Sequence, residues 1–388
     1  MGSRVNGRAL VIGGGIGGLS VALALRQAGM DVQVFEAVEE VKEVGAGVTI
    51  WSNAVRALQK LGLTDALQAI GRPATYRIIY TWKGELLSKI QVDQLANGLG
   101  AAILMMHRAD LQSALLQAFG AANVRLGARC VGFTQDDKGV RAQFANGETV
   151  EGDLLVAADG IHSTLRTQLF GPKRLLYTGY ATWRGIASLE DENIPVGVSS
   201  ETWGKGQRIG LIPLNNGRMY WFTGQNMPAG AYKDETAEQK KQRMRDMVRG
   251  WHAPIEAVIE ATEPSTIIRA DVYELEYLPH WCQGRVILLG DAAHAMSPNM
   301  GQGACQAIED AVVLGSCLQE EHDIPGALRL YESRRIKRVQ RVATQSRRIG
   351  QLAQLENPLA CALRNALVKR WYTRLLSQEL DWLLSYEA

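Results

Sequence analysis

The chain has 388 residues, room for two or three units at roughly 150 residues per domain, which excludes a peptide or a small binding module. With 46% hydrophobic and 21% charged residues, the composition is that of a globular protein with a large core, and disorder or a fibrous repeat is excluded. The 42 basic against 40 acidic residues leave a net charge of +2, too weak a field to recruit nucleic acid or an anionic membrane by itself, so any partner must be recognised locally. No apolar run approaches the ~20 residues of a membrane-spanning helix, and no stable membrane insertion is expected. Arg4 and Arg8 precede an apolar stretch as in a signal peptide, but Gly13 to Gly18 break that stretch and a strand pattern explains it better. The cysteines Cys130, Cys282, Cys305, Cys317 and Cys361 are odd in number and scattered, without a Cys-x-x-Cys. They suggest neither a disulfide framework nor a zinc site, and a reducing cytoplasm fits. The histidines, His107, His162 and His294 among them, show no metal-ligand spacing, so no metal is predicted.

In chain order, Ala9 to Ile12 form a short apolar run, glycines follow, and Leu19, Ala22, Leu23 and Leu25 recur at helical spacing up to Gly29, placed to stop a helix. Val32, Val34 and Phe35 predict a second strand. The N-terminus therefore reads as a β-α-β unit and the fold class as α/β, with a Rossmann-like nucleotide-binding core. Tyr180 to Ala187, Arg208 to Leu214 and Arg218 to Thr223 are alternating, aromatic-rich segments with Asn215-Asn216-Gly217 as a hairpin turn, which predicts a mainly antiparallel sheet. Arg285 to Leu289 returns to a buried-strand pattern leading into a glycine turn and a helix, so the sheet reads as an insertion into a discontinuous core. The expected division is 1–75, 101–175 and 271–330 for the nucleotide-binding domain, 76–100 and 176–270 for the inserted sheet domain, and 331–388 for C-terminal helices. From Pro325 onward the pattern is helical and crowded with Arg329, Arg334, Arg335, Lys337, Arg338, Arg341, Arg347 and Arg348. Because the whole chain is nearly neutral, a solvated helix face packed through Ile336, Val339, Val342 and Ile349 is expected rather than a nucleic-acid site.

Gly13-x-Gly15-x-x-Gly18 sits between the first strand and the helix, and Glu36 ends the second strand. The first glycine allows a tight turn, the second lets the backbone approach a pyrophosphate, and the third lets helix and strand pack closely, while the helix N-terminus offers N–H groups to phosphate. Glu36 is placed to accept from both ribose hydroxyls and would repel a 2′-phosphate, which favours FAD or NAD over NADP as the resident nucleotide. One such fingerprint supports one resident nucleotide. Asp159-Gly160-Ile161-His162-Ser163-Thr164-Leu165-Arg166 follows the strand Leu154 to Ala158, and Gly290-Asp291-Ala292-Ala293-His294 follows another. Both put an aspartate at a strand's carboxyl end, the edge where an open α/β sheet binds ligands; as isolated dipeptides they would read as turns. Asn299-Met300-Gly301-Gln302-Gly303-Ala304-Cys305 opens a helix running through Ile308, Ala311 and Leu314. Cys305 reads as a small buried residue, since no base accompanies it.

Together these segments resemble the FAD-dependent aromatic hydroxylases, the single-component flavoprotein monooxygenases that include urate, salicylate and p-hydroxybenzoate hydroxylases and zeaxanthin epoxidase, over nearly the whole chain. The resemblance implies a p-hydroxybenzoate hydroxylase-like fold: an FAD-binding domain, an inserted antiparallel sheet for the substrate and a C-terminal helical segment. It implies that Gly13, Gly15, Gly18 and Glu36 hold the adenosine half of a non-covalent, resident FAD, with Ile16, Ala37 and Gly47 among the cofactor-binding residues. Arg108 matches an arginine that lies against the FAD. Asp159, Gly160 and Arg166 match a motif implicated in FAD and NAD(P)H binding, and Asp291 matches the aspartate of the ribityl chain. Gly301, Gln302, Gly303 and Ala304 would meet the pyrimidine edge of the isoalloxazine, where a helix N-terminus stabilises the negative charge of reduced flavin. Pro298 matches the proline beside the reactive C4a atom. Many family members carry Asn where this chain has Cys305, a departure shared with the urate hydroxylase and zeaxanthin epoxidase branch.

Arg208 and Tyr220, on strands joined by the Asn215 turn, resemble the substrate-contacting arginine and tyrosine of urate hydroxylase and are expected to face one pocket beside the flavin; core packing is the alternative for Tyr220. Urate hydroxylase carries an acid at the position of Asn299, which argues against urate itself. Trp51, Trp183 and Trp221 are expected to pack rather than to line a pocket. The implied activity is a monooxygenase that consumes NADH or NADPH and hydroxylates an aromatic or heteroaromatic small molecule with O2 through a flavin C4a-hydroperoxide, in a pocket that excludes water. Arg208, Tyr220 and Pro298 are the candidate catalytic residues, and no general base is identified. Epoxidation of a terpenoid-like alkene on the same scaffold, or a flavin-binding protein without oxygenase activity, is the alternative. Monomer and homodimer both stay open.

Overall fold

The computed structural model describes residues 7–40, 46–189 and 195–388; Arg4 lies outside them. Six strands build a central sheet in the spatial order Cys282–Gln283, Val286–Leu288, Leu154–Ala157, Arg8–Ile12, Asp31–Phe35 and Val124–Arg125. Every pair is parallel except the one made by Cys282–Gln283. Leu10, Val11, Leu155, Val156 and Ile287 in its middle are wholly buried, the consequence of covering a parallel sheet on both faces. Helix Ile16–Gln27 joins the first two strands and packs against helix Gly303–Glu320. The two approach so closely that a Cβ on Gly315 would stand 3.1 Å from Ala24.

The second sheet has seven strands in the order Ile268–Leu275, Leu175–Ser188, Arg218–Asn226, Gln207–Pro213, Val198–Trp203, Tyr76–Thr81 and Leu86–Gln91. It is antiparallel except between Val198–Trp203 and Tyr76–Thr81. The hairpin after Pro213 closes with Leu214 N–H donating to the Arg218 carbonyl at 2.8 Å and turns through Asn215, Asn216 and Gly217, the last two at φ 61° and 64°, the left-handed region that Asn and Gly enter at least cost. Side chains alternate across this sheet. Ile209, Leu211, Trp183 and Trp221 face one way into a core closed by helices Ala237–Val248 and Ile255–Glu260. Trp183 and Trp221 thus pack, as expected, whereas Arg208, Ile212 and Phe222 face a cleft on the other side.

The basic helix, Ile324–Ala353, corrects part of the sequence expectation. Arg329, Arg334, Lys337, Arg341, Arg347 and Arg348 are exposed, but Arg335 is fully buried and Arg338 nearly so. The reason is a pair of acids on the facing helix. Glu309 and Asp310 have no solvent exposure, and unpaired carboxylates there would be prohibitively costly. Arg335 meets both, through Nη1 to Glu309 at 2.5 Å and Nε to Asp310 at 2.6 Å, while Arg338 Nε reaches Glu309 at 2.8 Å and His294 Nε2 lies 2.6 Å from Asp310. Asn53 Nδ2 donates to Glu309 at 2.5 Å and ties helix Ser52–Lys60 into the cluster.

Burial alone would raise the Asp310 carboxyl, but His294 and Arg335 outweigh it and pull the group down to about 2. Since that lies below the unfolded value of about 3.9, its stabilisation is complete above that value and is lost as the pH falls through the folded one. Asp310→Asn is expected to cost about 3 kcal/mol at pH 7 and progressively less toward about pH 3, as urea denaturation at the two pH values will measure. An equal loss at both would rule out the ionised pair as the source.

Candidate cofactor and substrate site

The glycine turn is built by exclusion. Gly13 adopts φ +110°, and a Cβ on it would stand 2.3 Å from the Ala158 carbonyl oxygen; one on Gly18 would strike the Gly13 carbonyl. Around Gly15 nothing lies within 4 Å of an added Cβ, and helix Ile16–Gln27 starts there without a side-chain cap. Its first N–H groups therefore face open space, an arrangement suited to an anion. Glu36, directly after strand Asp31–Phe35, accepts from Gly14 N at 2.6 Å and from Val38 N at 3.0 Å, which holds its carboxylate at the rim of the turn with Ala37 beside it. Gln112 donates to the Gly14 carbonyl at 2.9 Å. The sequence carries no sign of this contact, because Gln112 stands on a separate helix, Arg108–Phe119.

Asp159 and Asp291 end neighbouring strands but behave differently. Asp159 Oδ2 accepts from Thr164 N at 3.0 Å and Leu165 N at 3.3 Å, capping helix Thr164–Phe170, while Oδ1 is buried without a partner and burial pushes the carboxyl up. Gly160 leaves that turn open at φ +80°. Arg166 is buried and donates to the carbonyls of Ala292 at 3.1 Å and Ile161 at 2.7 Å. It fastens the Asp159 turn to the Asp291 turn rather than pointing outward. Asp291 begins the short helix Asp291–His294; its side chain is exposed at the sheet edge, within the field of His294 and Arg108.

A cleft of about 100 Å³ lies against the second sheet, with Trp51, Pro298, Asn299, Met300 and Gly301 on one side and Arg77, Glu201, Arg208, Ile212 and Phe222 on the other. Trp51 therefore lines the cleft, where packing alone was expected, and its indole N–H is buried without a partner. Gly301 turns at φ +65°, and Gly303 opens helix Gly303–Glu320 with nothing within 4 Å of its missing Cβ. Gln302 uses Oε1 to accept from Asn53 at 3.2 Å and from Gln306 at 3.1 Å, leaving Nε2 unpartnered. Cys305 is fully buried and burial pushes its thiol up to about 12, so it is no nucleophile.

Arg208 is the centre of a buried polar chain. It donates through Nη1 to Glu201 at 2.8 Å and through Nη2 to Asn299 Oδ1, which also accepts from the Tyr180 hydroxyl at 3.0 Å; Asn299 Nδ2 in turn donates to the Ser346 carbonyl at 2.8 Å. Burial opposes both charges of the Arg208–Glu201 pair, but each holds the other ionised, with Arg77 adding to the pull on Glu201. Burial raises the Tyr180 phenol despite Arg208, so it stays a neutral donor. Tyr220 is not part of this chain. The register pairs Arg208 with Gly224 and Ile212 with Tyr220, four residues apart along the strands, and the Tyr220 ring instead fills the place of a Cβ on Gly47, 2.5 Å away. Burial lifts its phenol to about 12. Tyr180 and Glu201 are the residues that sequence reasoning missed: no spacing ties Tyr180 to Asn299 across 119 positions.

An open phosphate turn, an acid at its rim, a second aspartate turn and a helix start with unpartnered donors fit an FAD stretched along the sheet edge. The family described as FAD binding domain is matched over residues 7–346, and the chain belongs to it, as an FAD-dependent monooxygenase. It is 41% identical over 360 residues to aurachin C monooxygenase/isomerase of Stigmatella aurantiaca, 93% of either chain. It is 38% identical over 347 residues to FAD-dependent urate hydroxylase of Klebsiella pneumoniae, 88% of this chain and 89% of that one. The structure of Klebsiella pneumoniae HpxO complexed with FAD and uric acid matches with a TM-score of 0.92 at 32% identity, covering 97% of this chain and 96% of that one.

Gly15→Val separates a cofactor cradle from a mere turn. No protein atom opposes the new side chain, so the apoprotein should melt within about 1 °C of wild type, while FAD affinity, followed by flavin fluorescence, should fall at least about tenfold. A destabilised apoprotein with unchanged affinity would overturn that assignment.

Proposed function

We propose that this monooxygenase hydroxylates a planar aromatic or heteroaromatic small molecule, with NADH or NADPH as a transient electron donor. The residues divide into 1–75, 101–175 and 271–330 for FAD, 76–100 and 176–270 for the substrate, and 331–388 as a helical brace. Reduced FAD supplies the activation of O2 by which one oxygen atom passes to an electron-rich ring. In this reading the backbone of Gly13, Gly15, Ile16 and Gly18 carries the pyrophosphate, Glu36 with Ala37 the ribose, and Asp291 with Arg108 the ribityl region. Gly301, Gln302, Gly303 and Ala304 donate to the pyrimidine edge, and Pro298 stands at the reactive side. Asp159 and Arg166 keep the two aspartate turns together.

The observation that carries the substrate reading is that the unpartnered Trp51 indole N–H and the ionised Arg208 share one cleft with Pro298. A buried N–H and a guanidinium bordering a space walled by Ile212, Phe222 and Met300 suit a flat ring with an acceptor substituent, and an apolar wall excludes water. Asn299 is an amide with no basic atom, and despite burial Arg208 and Arg77 pair with Glu201 and hold its carboxyl below the usual range, so neither serves as a general base. The substrate must bring its own activating oxygen or nitrogen. Tyr220 acts as a positioning residue that seats strand Gly47–Ile50 against the cofactor.

Phenolic, purine-like, pyridine and quinolone compounds, offered to the yellow protein with NADH or NADPH, test this reading. One class should stimulate nicotinamide oxidation with matching oxygen uptake and little peroxide. No stimulation by any class, with FAD still bound, would overturn it. Arg208→Gln combined with Glu201→Gln, which removes both charges of the buried pair and leaves only the part-exposed Arg77 without its carboxylate, should retain FAD and lower kcat/KM for that class about 10- to 100-fold; equal loss of FAD would remove Arg208 from the substrate site.

A further inference from the structure

Helix Pro358–Leu367 and the π-helical turn Val368–Tyr372 that extends it are turned inside out. Their inner face, Cys361, Arg364 and Val368, is buried. Arg364 donates to the carbonyls of Ala353 at 3.0 Å and Gly204 at 3.1 Å, and Val368 packs with Ile79, Leu87 and Trp203. The outer face carries Leu359, Leu363, Leu367 and Trp371, which are 82%, 61%, 51% and 50% exposed. Four-residue steps put these side chains in one continuous stripe. A helix that buries its arginine and leaves its leucines in water reverses the usual partition, and an aligned apolar stripe marks an interaction surface where a single exposed leucine would not. Its end is cationic. Lys369 and Arg370 are exposed beside Trp371, no Asp or Glu occurs between Glu356 and Glu379, and Glu356 accepts from Asn226 at 2.7 Å.

We infer that this face docks on an anionic lipid surface, with the leucine stripe in the boundary between headgroups and acyl chains, Trp371 at headgroup level and Lys369 and Arg370 against the phosphates. The helix lies on the surface; among the described residues no helix is long and apolar enough to cross a membrane. Charge favours lipid over a second copy of the chain, since a twofold contact would bring this cationic face against itself. A single helical stripe also falls short of the ~800 Å² per partner of a stable dimer. The helix is fixed to strands Val198–Trp203 and Tyr76–Thr81, the strands that supply Glu201 and Arg77 to the cleft.

The FAD-loaded full chain, sedimented with vesicles of phosphatidylglycerol and phosphatidylcholine or of phosphatidylcholine alone, tests this. Binding to the anionic vesicles, weakened in about 0.5 M salt, is expected. Leu363→Asp with Leu367→Asp should weaken it at least about tenfold, and Lys369→Gln with Arg370→Gln several-fold, with FAD content and melting temperature unchanged. Failure of wild type to sediment with anionic vesicles, or equal binding by all variants, would overturn the inference. So would a lipid-indifferent dimer, seen in sedimentation velocity, that the leucine variants turn into monomer.

Discussion

Two adjacent carboxylates without water, Glu309 and Asp310, constrain more of this molecule than any other pair of residues. An unpaired charge in such a place is worth several kcal/mol against the fold, so the helix carrying them is stable only where Arg335, Arg338, His294 and Asn53 all reach it. Those partners come from three other elements. The cluster therefore fixes the position of helix Gly303–Glu320, whose first residue borders open space. His294, which closes the cluster, also attracts Asp291, so the charge balance of the core extends to the cofactor cleft.

The two halves of the site are made by different physics. The nucleotide half depends on what is missing: a Cβ at Gly13, Gly15 and Gly18, and caps at two helix starts. The substrate half depends on mutual hydrogen bonding, where Tyr180, Asn299, Arg208 and Glu201 hold one another and leave the Arg208 Nε–H and the Trp51 N–H as buried donors still in want of a partner. A shared nucleotide half is thus compatible with many substrates, since a change in the hydrogen-bonded chain leaves the glycine turn untouched.

What was legible in the sequence was local. Gly13, Gly15, Gly18 and Glu36 fall within one β-α-β unit, and the alternation of Arg208 to Leu214 and Arg218 to Thr223 gave the sheet and its Asn216-Gly217 turn. What escaped depends on pairings across the chain. Arg335 and Arg338 look like their exposed neighbours until Glu309 and Asp310 are set opposite. Tyr180 and Tyr220 both lie on aromatic strands, and only the fold brings the Tyr180 hydroxyl to Asn299, 119 positions away. Trp51 looked like packing because the cleft it borders is closed by Pro298 and Met300 from the far end of the chain.

Strand Val286–Leu288 lies directly beside Leu154–Ala157 in the central sheet, with five of the seven strands of the second sheet strung between them. During synthesis the glycine turn emerges first, yet the turn at Asp291, two strands away across the sheet, follows only after most of the chain. The sheet edge stays unpaired in the meantime, and such distant pairings close slowly. A chain interrupted anywhere before Val286 would carry the glycine turn but lack the strand and the Asp291 turn that extend this sheet edge.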